Sequence, residues 1–157
     1  MKRLKQKATM LIVDDDASIG KTLARILEKQ GYLVEVMDKG KQAIEATNKR
    51  FFNVAFIDIK LPDMDGTELL ERMRETEPKM IKIILTGYPS LKNAIDAVNK
   101  GADGYLMKPF DVDKLLTMIK RQLERQEESM RFSEKKVTTY IETRVKQIEL
   151  QEDKKRV

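Results

Sequence analysis

The sequence predicts an α/β protein built on a doubly wound sheet of five parallel strands and followed by a helical extension. Three observations carry that expectation. Short β-branched apolar runs alternate with amphipathic runs from Thr9 to about Arg121, the pattern of repeated β-α units. The first, third and fourth strand candidates are near-continuous apolar runs, as strands are when helices cover both faces of a parallel sheet. After Gln122 glycine and proline disappear and charge becomes dense.

The first strand is Thr9–Val13 (TMLIV), followed by a helix over Ser18–Gln30, with Ser18 as its N-cap and Gly31 where it stops. Leu33–Met37 and Gly40–Lys49 form the second unit, Val54–Ile57 and Thr67–Glu75 the third. Pro78 separates that helix from the fourth strand, Met80–Leu85. A helix over Leu91–Lys100, closed by Gly101, leads to the last strand, Gly104–Met107, and a helix over Asp111–Arg121. Right-handed crossovers leave few topologies. The strand order 2-1-3-4-5, that of flavodoxin-like sheets, is adopted rather than read from the residues, because it sets the ends of the first and third strands side by side at a switch point.

Leu116, Leu123, Met130 and Val137 recur every seven residues, and Ile141 and Ile148 continue a related stripe. Arg144 falls in phase with Val137, and Glu127 and Glu134 occupy the companion positions before Ile141. The chain therefore divides into a basic segment (1–7), a folded domain (8–122) and a charged helical extension (123–157) with coiled-coil character. The extension is expected to self-associate or dock on a partner; the competing reading is a solvated tail.

Composition narrows the chemistry. The chain of 157 residues has neither cysteine nor histidine, which removes disulfides, thiolate and imidazole metal sites and the commonest general base. The net charge of +5 does not point to nucleic acid. Lys2, Arg3, Lys5 and Lys7 account for most of it, and acids and bases interleave elsewhere. No run approaches the roughly 20 apolar residues of a membrane helix, so a cytoplasmic protein without membrane insertion is expected.

Polar residues stand at the ends of four strand runs: Asp14 and Asp15, Asp58, Thr86 and Lys108. A parallel sheet brings such ends to one edge. Carboxylates forced together repel by about 4 kcal/mol per pair at an effective dielectric of 20, so a cation or a proton must accompany them. With only oxygen ligands, Mg²⁺ is favoured. A carboxylate beside Mg²⁺ can attack phosphorus, and the phosphoryl oxygens then need the metal, an ammonium such as Lys108 and a hydroxyl such as Thr86. The turn-rich LPDMDG after Asp58 can present the Lys60 carbonyl to the metal.

LIVDDD, FIDIKLPDMDG, IILTGY and GADGYLMKPF resemble, in order and spacing over about residues 8–122, the CheY-like receiver domain of two-component response regulators. The Ala-Ile-Asp-Ala-Val stretch before Gly-Ala-Asp-Gly-Tyr is similar to NtrC-like receivers. The resemblance implies that Asp58 is the phosphoacceptor, Asp15 a direct Mg²⁺ ligand, Asp14 a ligand through water and the Lys60 carbonyl a further ligand. It also implies that Lys108 binds the phosphoryl group, that Thr86 is the switch hydroxyl and that Tyr105 is the switch aromatic.

A histidine kinase or a histidine phosphotransfer protein would be the donor, an unidentified downstream protein the recipient of the signal, and a homodimer through the fifth helix and tail a further partner. The implied activity is self-catalysed phosphotransfer with slow autodephosphorylation, not turnover of a separate substrate. Two alternatives stand beside it. One is a Mg²⁺-dependent phosphohydrolase; the other is an adaptor acting through the tail without phosphorylation.

Overall fold

The computed structural model describes residues 7–156. Ten elements alternate along it: β1 (Thr9–Val13), α1 (Ala17–Lys29), β2 (Leu33–Met37), α2 (Gly40–Lys49), β3 (Val54–Asp58), α3 (Gly66–Arg72), β4 (Ile81–Thr86), α4 (Leu91–Asn99), β5 (Gly104–Met107) and α5 (Val112–Lys155). The strands form one five-stranded sheet in the order β2-β1-β3-β4-β5, and every pairing is parallel. The expected fold class and strand order are the observed ones.

The long apolar runs are the three central strands. Met10–Val13 and Val54–Ile57 are entirely buried, whereas β2, at one edge, leaves Leu33 and Val36 exposed. Helical side chains such as Leu23, Leu27, Leu69 and Leu70 close over the sheet. Each such side chain stabilises the fold by about 1.5–3 kcal/mol relative to its exposed state.

Local chemistry moves several boundaries. Asp16, not Ser18, caps α1: its carboxylate accepts from the Ser18 and Ile19 N–H groups, satisfying donors that a helix start leaves unpaired. α3 stops at Arg72 instead of Glu75 because Met73 turns to an extended backbone and its side chain enters the core. Both Asp58 and Thr86 belong to their strands. Gly31 and Gly101 have φ of 90° and 101°, the left-handed conformation with which helices commonly end. Lys82, which interrupts the fourth apolar run, is buried and donates to the Leu70 carbonyl of α3 at 3.2 Å.

The chain resolves into two compact units that meet between Ile119 and Lys120. The first holds the sheet and its helices. The second is the remainder of α5, a charged helix on which Val137, Ile141, Val145 and Ile148 are all exposed.

Candidate functional site: an acidic cluster at the carboxyl edge of the sheet

Register assembles the site. Val13 lies opposite Ile57, so Asp14 leaves β1 level with Asp58 on β3. Asp58 lies opposite Leu85 and Thr86 opposite Met107, so Thr86 and then Lys108 each stand one step further out. Ladder bonds continue past the strand ends, from the Ile59 N–H to the Leu85 carbonyl and from the Lys108 N–H to the Thr86 carbonyl. The four run-ends thus converge as the sequence predicts.

The side chains meet in a charged network. The Lys108 ammonium lies 2.6 Å from an Asp14 oxygen and 3.4 Å from an Asp58 oxygen, bridging the ends of β1 and β3 from the end of β5. The second Asp14 oxygen accepts from the Asp16 N–H at 3.0 Å, and the second Asp58 oxygen accepts from the Lys60 N–H at 3.3 Å. Asp14 is 2% and Asp58 9% exposed, while Asp15 faces solvent. Ligand oxygens of Asp14, Asp15 and Asp58 lie within 4.8 Å of one another.

Burial, followed by the Asp14 charge, pushes the Asp58 carboxyl up to about 6, although Lys108 and the Lys60 N–H pull the other way. Burial works against charge on Lys108 as well, but the hydrogen bond and charge of Asp14, then Asp58, hold its ammonium above the ordinary lysine value. One cation shared by crowded carboxylates leaves unbalanced negative charge. An all-oxygen cluster of this kind fits a hard divalent ion.

Thr86 is fully buried, and its hydroxyl accepts from the Tyr88 N–H at 3.0 Å. Tyr105, on β5, packs against the core; its hydroxyl is buried and, among the described residues, has no hydrogen-bond partner. Near these two residues the surface is apolar: Tyr88, Leu91, Ile95, Val98 and Met107 are exposed on or beside α4 and β5.

The loop between β3 and α3 is pinned at both ends. Lys60 bridges to Asp65, the Leu61 N–H donates to the Met64 carbonyl and the Gly66 N–H to the Ile59 carbonyl. A Cβ at position 66 would meet the Asp58 carbonyl oxygen at 2.3 Å, so only glycine lets the loop close this tightly. Asp63 supplies an anchor that motif reading missed. Its two oxygens accept from the Gly40 and Lys41 N–H groups, each at 2.9 Å, capping α2 from 22 residues away. Those bonds, the Lys41 N–H foremost, hold its carboxyl below the usual range. The available signal was the entry to α2, where Lys39 offers no capping side chain.

The doubly wound sheet with an acidic cluster and a lysine at its carboxyl edge defines a class of α/β domain that comparison with known proteins identifies. Residues 10–120 match the response regulator receiver domain family, and the chain belongs to that family of two-component signalling proteins. Among curated relatives, the DNA-binding transcriptional regulator NtrC of Proteus hauseri is 37% identical over 118 residues, 75% of this chain and 25% of that protein. The transcriptional regulatory protein ZraR of Klebsiella oxytoca is 36% identical over 110 residues, 70% of this chain and 25% of its own length. The chain thus spans about a quarter of the length of these relatives.

Solved structures point the same way. A CheY-like receiver domain protein from Methanospirillum hungatei JF-1 superposes with a TM-score of 0.75 at 45% identity, covering 79% of this chain and 99% of that one. A response regulator from Burkholderia pseudomallei, solved with a phosphorylated aspartic acid, a calcium ion and citrate, has a TM-score of 0.68 at 31% identity, covering 78% of this chain and 73% of that one.

Proposed function

We propose that residues 8–122 act as a phosphoryl-accepting switch in which Asp58 takes a phosphoryl group from a phosphohistidine on a histidine kinase or phosphotransfer protein. The observation that carries this reading is the Asp14–Lys108–Asp58 network, where a buried carboxylate and an ammonium share one small site. One Asp58 oxygen attacks phosphorus while the P–N bond to the donor imidazole breaks, and the imidazole leaves with the electron pair. Lys108 is placed to follow the negative charge as it moves onto the phosphoryl oxygens.

Mg²⁺ is the ion this site would take, held by Asp15, Asp58 and the Lys60 carbonyl, with Asp14 acting through water. When bound it neutralises charge on the transferring phosphoryl oxygens. Slow hydrolysis of the aspartyl-phosphate would reset the switch, and the protein would work in the cytoplasm.

Thr86 and Tyr105 would carry the change outward. A phosphoryl oxygen offers the Thr86 hydroxyl proton an acceptor, and movement of the side chain toward it would draw the oxygen away from the Tyr88 N–H from which it now accepts. Withdrawal of Thr86 alters the surroundings of the buried Tyr105 hydroxyl, which has no hydrogen-bond partner among the described residues, and shifts the exposed apolar surface beside it. An unidentified downstream protein would read that surface, and self-association through the extension would accompany it.

The test is intact-mass measurement after exposure to acetyl phosphate with and without Mg²⁺. The expected result is a gain of one phosphoryl group that needs Mg²⁺ and is lost in Asp58→Asn. Equal gain in Asp58→Asn would overturn the assignment. Release of many equivalents of phosphate per chain from a generic phosphoester would favour the phosphohydrolase reading instead.

A further inference from the structure

The far end of α5 carries a seam that is complementary to its own reverse. Met130, Glu134, Val137, Ile141, Arg144 and Ile148 follow alternating spacings of four and three, which place them on one stripe of a helix. The stripe reads apolar, acidic, apolar, apolar, basic, apolar. Within it Val137, Ile141 and Ile148 are 57%, 54% and 45% exposed, and Glu134 and Arg144 are exposed as well. Phe132 and Leu150, also exposed, fall outside the stripe.

Charge decides which second helix fits. In a parallel, in-register pair each residue meets its own copy, so Glu134 faces Glu134 of the partner subunit and Arg144 faces Arg144 of the partner subunit. Both layers are repulsive. Reversing one helix changes both. With Val137 level with Ile141 of the partner subunit, Glu134 falls against the partner's Arg144 and Ile148 against the partner's Met130. Every layer then pairs apolar with apolar or acid with base, and the two-fold axis repeats each contact twice.

We propose that the extension is an antiparallel homodimerisation seam, in which a second copy of this chain supplies Arg144 to Glu134 and Ile141 to Val137. The proposal rests on the self-association reading given above and adds its direction and register. Here Glu134 and Arg144, which interrupt an otherwise apolar stripe, specify orientation. A one-heptad slip separates Glu134 from Arg144 of the partner subunit: one direction sets Arg144 against an isoleucine and Glu134 against a glutamine, and the other sets Glu134 against a valine and keeps only an Arg144–Glu127 pairing.

The chain has no cysteine, so introduced thiols report without background. Met130→Cys mixed with Ile148→Cys is expected to give disulfide-linked dimers under mild oxidation. Neither variant alone is expected to, because the antiparallel register separates the two copies of position 148 by about 27 Å at 1.5 Å per residue. Cross-linking of Ile148→Cys to itself would show a parallel pair and overturn the register.

Charge exchange gives an independent readout by sedimentation, with circular dichroism confirming the helix. Glu134→Arg and Arg144→Glu should each weaken association roughly tenfold, and the double variant should recover to within about threefold of the natural sequence. A parallel pair keeps like charges face to face in every variant, so absence of rescue would contradict the proposal. A protein that stays monomeric by light scattering at high concentration, at rest and loaded with beryllofluoride, would overturn self-association itself. Cross-linking through position 148 alone would leave self-association standing and remove only the register.

Discussion

The carboxyl edge of the sheet and the far end of α5 treat charge in opposite ways. At the sheet edge, Asp14, Asp58 and Lys108 are held in a largely buried cluster, and the strands β1 and β3 that carry the two aspartates have their apolar residues almost wholly buried. On the extension, acids and bases are solvated while Val137, Ile141, Val145 and Ile148 face outward. Buried carboxylates without full compensation are reactive, because they draw in a cation or a proton and the free oxygen is a nucleophile. Exposed apolar residues at helical spacing are adhesive, because another helix relieves them. The first region is suited to chemistry and the second to assembly.

The sharpest way to break this comparison is to remove apolar volume from each region. Phe56→Ala, in the fully buried β3, is expected to cost about 3–5 kcal/mol of unfolding free energy. Ile141→Ala on the extension should change the unfolding free energy of the dilute protein by less than about 0.5 kcal/mol. Comparable losses in urea titrations would mean that the two regions are not distinct in the way described.

A smaller effect sharpens the electrostatic side. Asp58 has its carboxyl raised from 3.8 to about 6, so the metal-free folded state binds that proton more tightly than the unfolded chain does. Its contribution to stability is present below about pH 4 and is lost as pH rises through about 6. Asp58→Asn should therefore stabilise the metal-free protein by about 1–3 kcal/mol at pH 8 and have little effect near pH 4. Unfolding curves at the two pH values, recorded with a chelator, would contradict the account if the variant were no more stable at pH 8.

Smallest is the expected cost of Asp63→Ala, about 1 kcal/mol for the loss of the side-chain cap on α2. Calorimetry should show a melting point lower by a few degrees. An unchanged melting point would show that the anchor between the loop and α2 contributes nothing.

Much of this was legible in the residues, for a physical reason. The central strands β1 and β3 are buried on both faces and their runs are apolar, so Asp14 and Asp58 stood out as the first polar residues at the run ends, while Lys108 stood out after the short edge strand β5. The sequence also displayed the mismatched Glu134 and Arg144 on an otherwise apolar stripe. What it concealed were bonds from side chains to distant backbone. Asp63 caps a helix remote in the chain, Lys82 reaches a carbonyl of α3, and Asp16 replaces Ser18 as the cap of α1. None of these leaves a period in the sequence. The early end of α3 was hidden similarly, because Met73 fits the helical pattern but is drawn into the core.

The central claim is that one carboxylate, Asp58, receives the phosphoryl group because Lys108 and the acidic cluster surround it. Borohydride reduces an aspartyl-phosphate to homoserine, so the acceptor can be located by peptide mapping after treatment with acetyl phosphate and Mg²⁺. Homoserine is expected at position 58 and at no other aspartate. Homoserine at position 14, 15 or 63, with Asp58 intact, would contradict the account.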